Sequence, residues 1–203
     1  MTYPEVGQEY EFGEGSFTVL GPTQIRDDSN NNSVVVRLDY GDTSFLFTGD
    51  AESKEEKDII AANEDLDCDV LSVGHHGSAS STSWDFLEQV LPEYAVISCG
   101  VNNSYGHPDP DTIEKLESIE AQIFRTDLQG NIIAISDGET ITWNNVPSNG
   151  EVLYAADFVS VKEEPNDTSS TVGELGPGNQ IQVLNRDDNG WATIVFNGAT
   201  TYI

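Results

Sequence analysis

Histidine, basic residues and long apolar runs are all scarce in this chain. Of its 203 residues, three are histidine and eight are Lys or Arg, against 36 acids, for a net charge of −28. No run of Lys or Arg exists to neutralise phosphates, so a nucleic acid would meet a repulsive field. Any DNA or RNA chemistry would have to depend on bound metal ions rather than a basic groove. The acids are spread along the whole chain, which reads as a solubilising, salt-tolerant surface. No segment approaches the ~18 uninterrupted apolar residues of a membrane span. The N-terminus, "MTYPEVGQEY", has neither a basic region nor an apolar core, so no signal peptide is visible. That leaves a cytoplasmic protein or a piece of an exported one whose start lies elsewhere. The two cysteines, Cys68 and Cys99, form no CxxC pair and lie in strand-like runs, "CDVLSV" and "YAVISC". They read as buried free thiols, with a disulfide between them as the alternative.

What is present alternates between strand and helix signals over the first 150 residues. "SFTVLGP" reads as a strand stopped by Gly-Pro. "SVVVRLDY" and "TSFLFTG" are β-branched and aromatic runs joined by Gly-Asp, a hairpin signal. "AESKEEKDIIAANE" is helical, "CDVLSVG" a short strand, and "SWDFLEQVL" a helix capped by Ser81 or Ser83. "YAVISCG" is a strand and "PDPDTIEKLESIE" a helix with Pro near its start. "AQIFRTD", "GNIIAISDG" and "ETITWNN" read as three closing strands. The alternation predicts a layered α/β fold, and hairpins at both ends predict a mixed sheet. The Asn/Pro/Ser/Gly cluster near residues 144 to 151 reads as a linker. Beyond it, "DFVSV", "STVGEL", "QIQVL", "WATIVF" and "TTYI" predict five short strands of a small β-barrel. The expected organisation is an α/β domain over 1–146, a linker at 147–150 and an all-β domain over 151–203.

Chemistry gathers where open α/β sheets place ligands, at the C-terminal ends of strands. "FLFTGDAE" puts Asp50 just past one strand, "VLSVGHHGS" puts His75 and His76 past the next, and "VISCGVNNSYGHP" puts His107 in the loop after the third. Asp and His are the donor types of zinc, manganese and iron sites. Metal-bound water becomes a nucleophile near neutral pH, and a second imidazole can bind an oxyanion or protonate a leaving group. Each residue also has a plainer reading. Asp50 could cap the helix that follows, the paired histidines could be hydrogen-bonded loop residues, His107 could hold a turn, and Ser78 is better read as a turn residue. The recurrence of these features at successive strand ends favours a site.

These motifs, TGD, GHHGS, NxxYGHP and RTDxxG, resemble the C-terminal half of the metallo-β-lactamase-fold domain of the ComEC/Rec2 competence family, over roughly residues 5 to 140. The resemblance implies an αββα sandwich with a dinuclear zinc or manganese centre in the intact domain. It also implies hydrolysis, with phosphodiesters in nucleic acid the usual proposal and choline phosphate among the substrates of secreted relatives. Carried over, Asp50 matches the bridging aspartate. One of His75 and His76 matches the late metal-ligand histidine, with His76 favoured and His75 facing substrate, and His107 matches the YGHP histidine near the substrate. The family's HxHxDH motif, which supplies most ligands, is absent from this sequence. The chain is therefore expected to be an N-terminally truncated hydrolase with half a site, no turnover of its own, and an apolar sheet face left open.

Residues 151–203 resemble a bacterial SH3 module, with Trp191 and Tyr202 as an aromatic binding surface, or Trp191 as core. "VSVKEEP" and "TTYI" depart from that pattern where an Arg-containing segment and a Gly are more usual. Such modules bind cell-wall peptides, which implies an extracellular or cell-surface protein acting on a small phosphoester or nucleic acid. A non-catalytic wall-binding or scaffold protein with a vestigial metal site is the competing expectation.

Overall fold

Short β-branched and aromatic runs, each too short to bury its own apolar face, need a shared sheet, and that sheet organises residues up to 145. The computed structural model describes residues 5–63, 65–145, 147–149, 151–187, 189–196 and 199–203. Two compact units divide the chain, Met1–Asn145 and Val146–Ile203.

In the first unit seven strands lie in chain order: β1 (Glu9–Phe12), β2 (Gly15–Gly21), β3 (Val35–Tyr40), β4 (Thr43–Phe47), β5 (Val70–Ser72), β6 (Tyr94–Ile97) and β7 (Gln122–Arg125). β1 to β4 pair antiparallel, and β4 to β7 pair parallel. The sheet is thus mixed. Its switch falls at β4, where hairpin connections give way to helical crossovers, as parallel pairing requires. The helices are α1 (Ser53–Ala62), α2 (Trp84–Val90), α3 (Pro110–Ser118) and a single turn, α4 (Thr126–Gln129). Ser83 caps α2 by accepting from Phe86 N, and Asp109 caps α3, with Pro110 at its first position.

Alternation along the strands sends Leu46, Leu71, Ala95, Ile97 and Ile123 to one face, where Ile59, Phe86, Leu87, Val90 and Leu116 from the helices cover them. Among the described residues, no helix contributes to the lining of the opposite face's cavity. The second hairpin, β8 (Ala134–Ser136) with β9 (Ile141–Trp143), pairs as its own two-stranded ribbon and does not extend the main sheet. It covers one end of that face through Trp143, which stacks on Phe124 at 4.1 Å between ring centroids. The rest opens as an apolar cavity of about 620 Å³, lined by Leu38, Phe45, Phe47, Val70, Val96 and Trp143 among others.

Among the described residues, the second unit holds six antiparallel strands: β10 (Glu151–Tyr154), β11 (Val159–Lys162), β12 (Thr171–Leu175), β13 (Gln180–Arg186), β14 (Ala192–Phe196) and β15 (Ala199–Tyr202). Their order is β10-β13-β14-β15-β11-β12, around a core of Val161, Ile181, Val183, Ala192 and Ile194. Sequence reading gave five strands and missed β10. Both cysteines are free thiols. Burial pushes Cys68 up to about 12, and burial followed by its hydrogen bond to Asp127 pushes Cys99 up to about 11. No helix among the described residues is long and apolar enough to cross a membrane.

Candidate metal centre

The ends of β4, β5 and β6 are neighbours in the parallel part of the sheet, so the loops that leave them meet. Thr48 and Ser72 tie the first two together: the Thr48 hydroxyl donates to Ser72 O at 3.0 Å. Backbone bonds continue the seam, with His75 N donating to Gly49 O at 2.9 Å and Ser53 N to Ser80 O at 3.0 Å. Asp50 leaves this seam half-exposed, its own N–H donating to Ser33 Oγ at 3.0 Å. Asp50 does not cap the helix. That position belongs to Glu52, whose side chain makes no capping bond. The helix-cap reading of Asp50 is therefore excluded.

His75 and His76 lie in a tight turn over Gly74–Gly77 with left-handed φ of +50° and +57°. Two consecutive non-glycine residues there are strained, at roughly 1–2 kcal/mol each. The turn splays the two rings apart, their centroids 6.4 Å from each other. His76 Nε2 stands 3.9 Å from Asp50 Oδ1. His76 Nδ1 lies 2.6 Å from the carbonyl of Ser98, just past β6. A carbonyl only accepts, so Nδ1 carries the proton and Nε2, on the Asp50 side, carries the lone pair. His75 turns the other way, its Nδ1 3.4 Å from Ser80 Oγ and 3.5 Å from Glu52 Oε1.

His107 arrives from the loop after β6. Asn103 shapes that loop: Oδ1 accepts from Tyr105 N at 3.2 Å and His107 N at 3.0 Å, and Nδ2 donates to His107 O at 2.5 Å. Thr126 of α4 anchors the loop's start by accepting from Cys99 N and donating to Cys99 O, both at 2.8 Å. The Arg125–Asp127 pair, 2.7 Å at its shortest, braces the same turn. This is the structural use of the RTDxxG motif. The His107 ring sits 5.7 Å from His75 and 5.8 Å from an exposed, stacked Tyr105. His76, Ser98, Cys99, Asn103, Tyr105 and His107 line a cavity of about 310 Å³. Gly77 joins the two loops. A Cβ there, at φ +82°, would lie 2.7 Å from Pro108 Cβ, and Gly77 O accepts from Asp109 N at 2.8 Å. Ser78 is a turn residue, its hydroxyl accepting from Ser80 N at 3.3 Å.

All four sequence-selected residues therefore gather at the C-terminal ends of β4, β5 and β6. Asp50 and His76 are the pair that could share an ion, with His75 and His107 alongside. Among the described residues, no three His, Cys, Asp or Glu side chains converge as a cation-binding group. A catalytic zinc takes three protein ligands, more than the described residues bring together here. Glu52, Asn103 and Thr126 were not picked out from the sequence. Thr126 is a named letter of RTDxxG, Glu52 follows TGD in "FLFTGDAE", and Asn103 falls at an open position of NxxYGHP, but only tertiary contacts show what they hold.

Residues 5–101 match the sequence model of the metallo-beta-lactamase superfamily. ComE operon protein 3 of Bacillus subtilis is 36% identical over 127 residues, covering 62% of this chain and 16% of that protein. Competence protein ComA of Neisseria gonorrhoeae is 36% identical over 125 residues, covering 61% of this chain and 18% of the relative. Recombination protein 2 of Haemophilus influenzae is 37% identical over 133 residues, 64% of this chain and 16% of that protein. The chain thus spans under a fifth of the length of these relatives. It is similar through residues 5–101 to the metallo-beta-lactamase superfamily, and over three fifths of its length to proteins of bacterial competence and recombination.

Proposed function

We propose that the first unit contributes half of a metal-dependent phosphoester or phosphodiester hydrolase, with Asp50 and His76 as two of its metal ligands. The observation that carries this is the approach of His76 Nε2 to 3.9 Å from Asp50 Oδ1, at the ends of adjacent parallel strands. His75 and His107 stand within reach as groups for substrate. Similarity to competence proteins supports a role toward nucleic acid, while the net charge of −28 favours a smaller phosphoester. The open apolar face supports the incompleteness. Parallel strands are buried on both faces in complete folds, and here one face keeps a 620 Å³ apolar cavity. A second layer bearing an HxHxDH motif would cover that face and supply the missing ligands, so the chain alone has no turnover.

The second unit supports a tethering role. Its short antiparallel strands fit an SH3-like module, and Tyr154 and Phe158 are exposed on it. Trp191 and Tyr202 are half-buried. A cell-wall peptide is the partner this reading assigns, with a surface location. The test joins this chain to an HxHxDH-bearing N-terminal half and follows bis(p-nitrophenyl) phosphate cleavage in Mn²⁺ or Zn²⁺. The completed domain is expected to turn over, and Asp50→Ala to abolish it. An inactive metal-loaded domain, or full activity in Asp50→Ala, overturns the proposal.

A further inference from the structure

We propose that Glu52 is the positioning residue of this site. It holds His75 in the tautomer that carries its proton on Nδ1 and leaves Nε2 as the free, lone-pair-bearing nitrogen. This deepens the hydrolase reading and rests on it only for the use made of His75.

Although it holds the N-cap position of α1, the Glu52 carboxylate satisfies no helix N–H. It reaches instead between two loops. Oε1 accepts from Ser80 Oγ at 3.0 Å and Asn30 Nδ2 at 3.2 Å, and Oε2 accepts from Asn31 Nδ2 at 3.2 Å. Asn31 is fully buried, and its Oδ1 accepts from Glu55 N at 3.1 Å, so the carboxylate is fastened to the interior rather than to a mobile surface. Every one of these neighbours is a donor and the carboxylate is acceptor-only. The remaining neighbour, His75 Nδ1 at 3.5 Å, therefore faces lone pairs. Ser80 Oγ adds another at 3.4 Å when its hydrogen points to Glu52 Oε1, with the Ser78 hydroxyl 3.1 Å away free to donate to it. An unprotonated Nδ1 would set lone pair against lone pair, whereas Nδ1–H meets an acceptor in Ser80 Oγ and the negative charge of the Glu52 carboxylate beside it.

A carboxylate behind the second nitrogen is how proteins set the orientation and basicity of a working imidazole. His76 reaches the same tautomer by a different route, the Ser98 carbonyl at 2.6 Å. The two adjacent histidines thus present matching Nε2 atoms while being held by independent partners. That independence supplies the control.

The experiment is long-range ¹H–¹⁵N correlation NMR on the full chain above about pH 8, where ordinary imidazoles are neutral. Wild-type His75 and His76 are both expected as Nδ1–H. Glu52→Ala is expected to shift the His75 tautomer ratio about tenfold toward Nε2–H, because the Ser80 hydroxyl, released from Glu52, can then donate to Nδ1, and to leave His76 unchanged. Glu52→Gln keeps the side chain's shape, loses the charge, and shifts the ratio the same way by a smaller factor, which serves if the alanine variant does not fold. Nε2–H at His75 in the wild type, or a ratio unmoved by these variants, overturns the assignment. The readout involves no turnover, so failure of the hydrolase reading and failure of this one are separable.

Discussion

Gly77→Ala tests whether the histidine turn and the His107 loop form one rigid unit. At φ +82° an alanine pays the left-handed penalty of about 1–2 kcal/mol. Its methyl would also lie 2.7 Å from Pro108 Cβ and 3.1 Å from Pro108 Cα, backbone and ring atoms with little room to yield. Overpacking of this kind costs about 1–3 kcal/mol. Gly106→Ala is the matched control. Gly106 has φ +76° but nothing within 4 Å of the added methyl, so it carries only the conformational cost. Both variants gain equally, by roughly 0.4–1 kcal/mol, from a stiffer unfolded chain. Urea unfolding of the two should therefore differ by about 1–3 kcal/mol, with Gly77→Ala the less stable. The His107 ring resonances should move in Gly77→Ala, because Asp109 N is bonded to Gly77 O at 2.8 Å and any shift is passed along the loop. Equal stabilities, within about 0.5 kcal/mol, would show that the loops are independent and that the His75–His107 spacing is not built in.

Two further predictions follow from burial. Glu56 is 1% exposed, and burial raises its carboxyl above the ordinary range, as it does for Glu55. A raised folded pKa contributes stability that is complete below the unfolded value of 4.5 and is lost as pH rises through the folded one. The carboxyl of Asp127, held low against desolvation chiefly by its hydrogen bonds from Arg125 and Cys99, acts in the opposite sense and loses its contribution as pH falls. Stability should thus rise on acidification from neutral toward about pH 5 and fall again below about pH 4. Glu56→Gln should flatten the neutral-side slope, and an unchanged slope would refute that assignment. Cys68 and Cys99, with thiols pushed up to about 12 and about 11, should react with Ellman's reagent at pH 8 more than tenfold slower than a free thiol. Rapid labelling of either would contradict the burial that raises them.

Much of the first unit was legible because its signals are local. β-Branched runs, the Ser83 cap and Pro110 at the start of α3 specify their own conformations. β1 was not legible, since "EYEF" alternates acids with aromatics and becomes a strand only by pairing Glu9 with Thr18 across β2. α4 is one turn long and too short for any periodicity. The β8–β9 hairpin was legible, but its pairing apart from the main sheet and the stacking of Trp143 over Phe124, 19 residues away, are tertiary outcomes that no local pattern encodes. At the site, Asp50, His75, His76 and His107 stood out because their residue types are rare and cluster after strands. Glu52 did not stand out, because its partners Asn30 and Asn31 come from a loop more than twenty residues away. The Asp50 cap reading failed for a comparable reason: the helix starts at Ser53, so the cap position passes to Glu52.

The central claim is that Asp50 and His76 are a pair of ligands in a centre the chain does not complete. A Zn²⁺ titration of the full chain, read by calorimetry and by ¹⁵N-resolved NMR, tests it most directly. Weak binding of a single ion is expected, with shifts confined to Asp50 and the His75–Gly77 turn and abolished in His76→Ala. Tight binding of two ions, or shifts that leave Asp50 and His76 untouched, would contradict it.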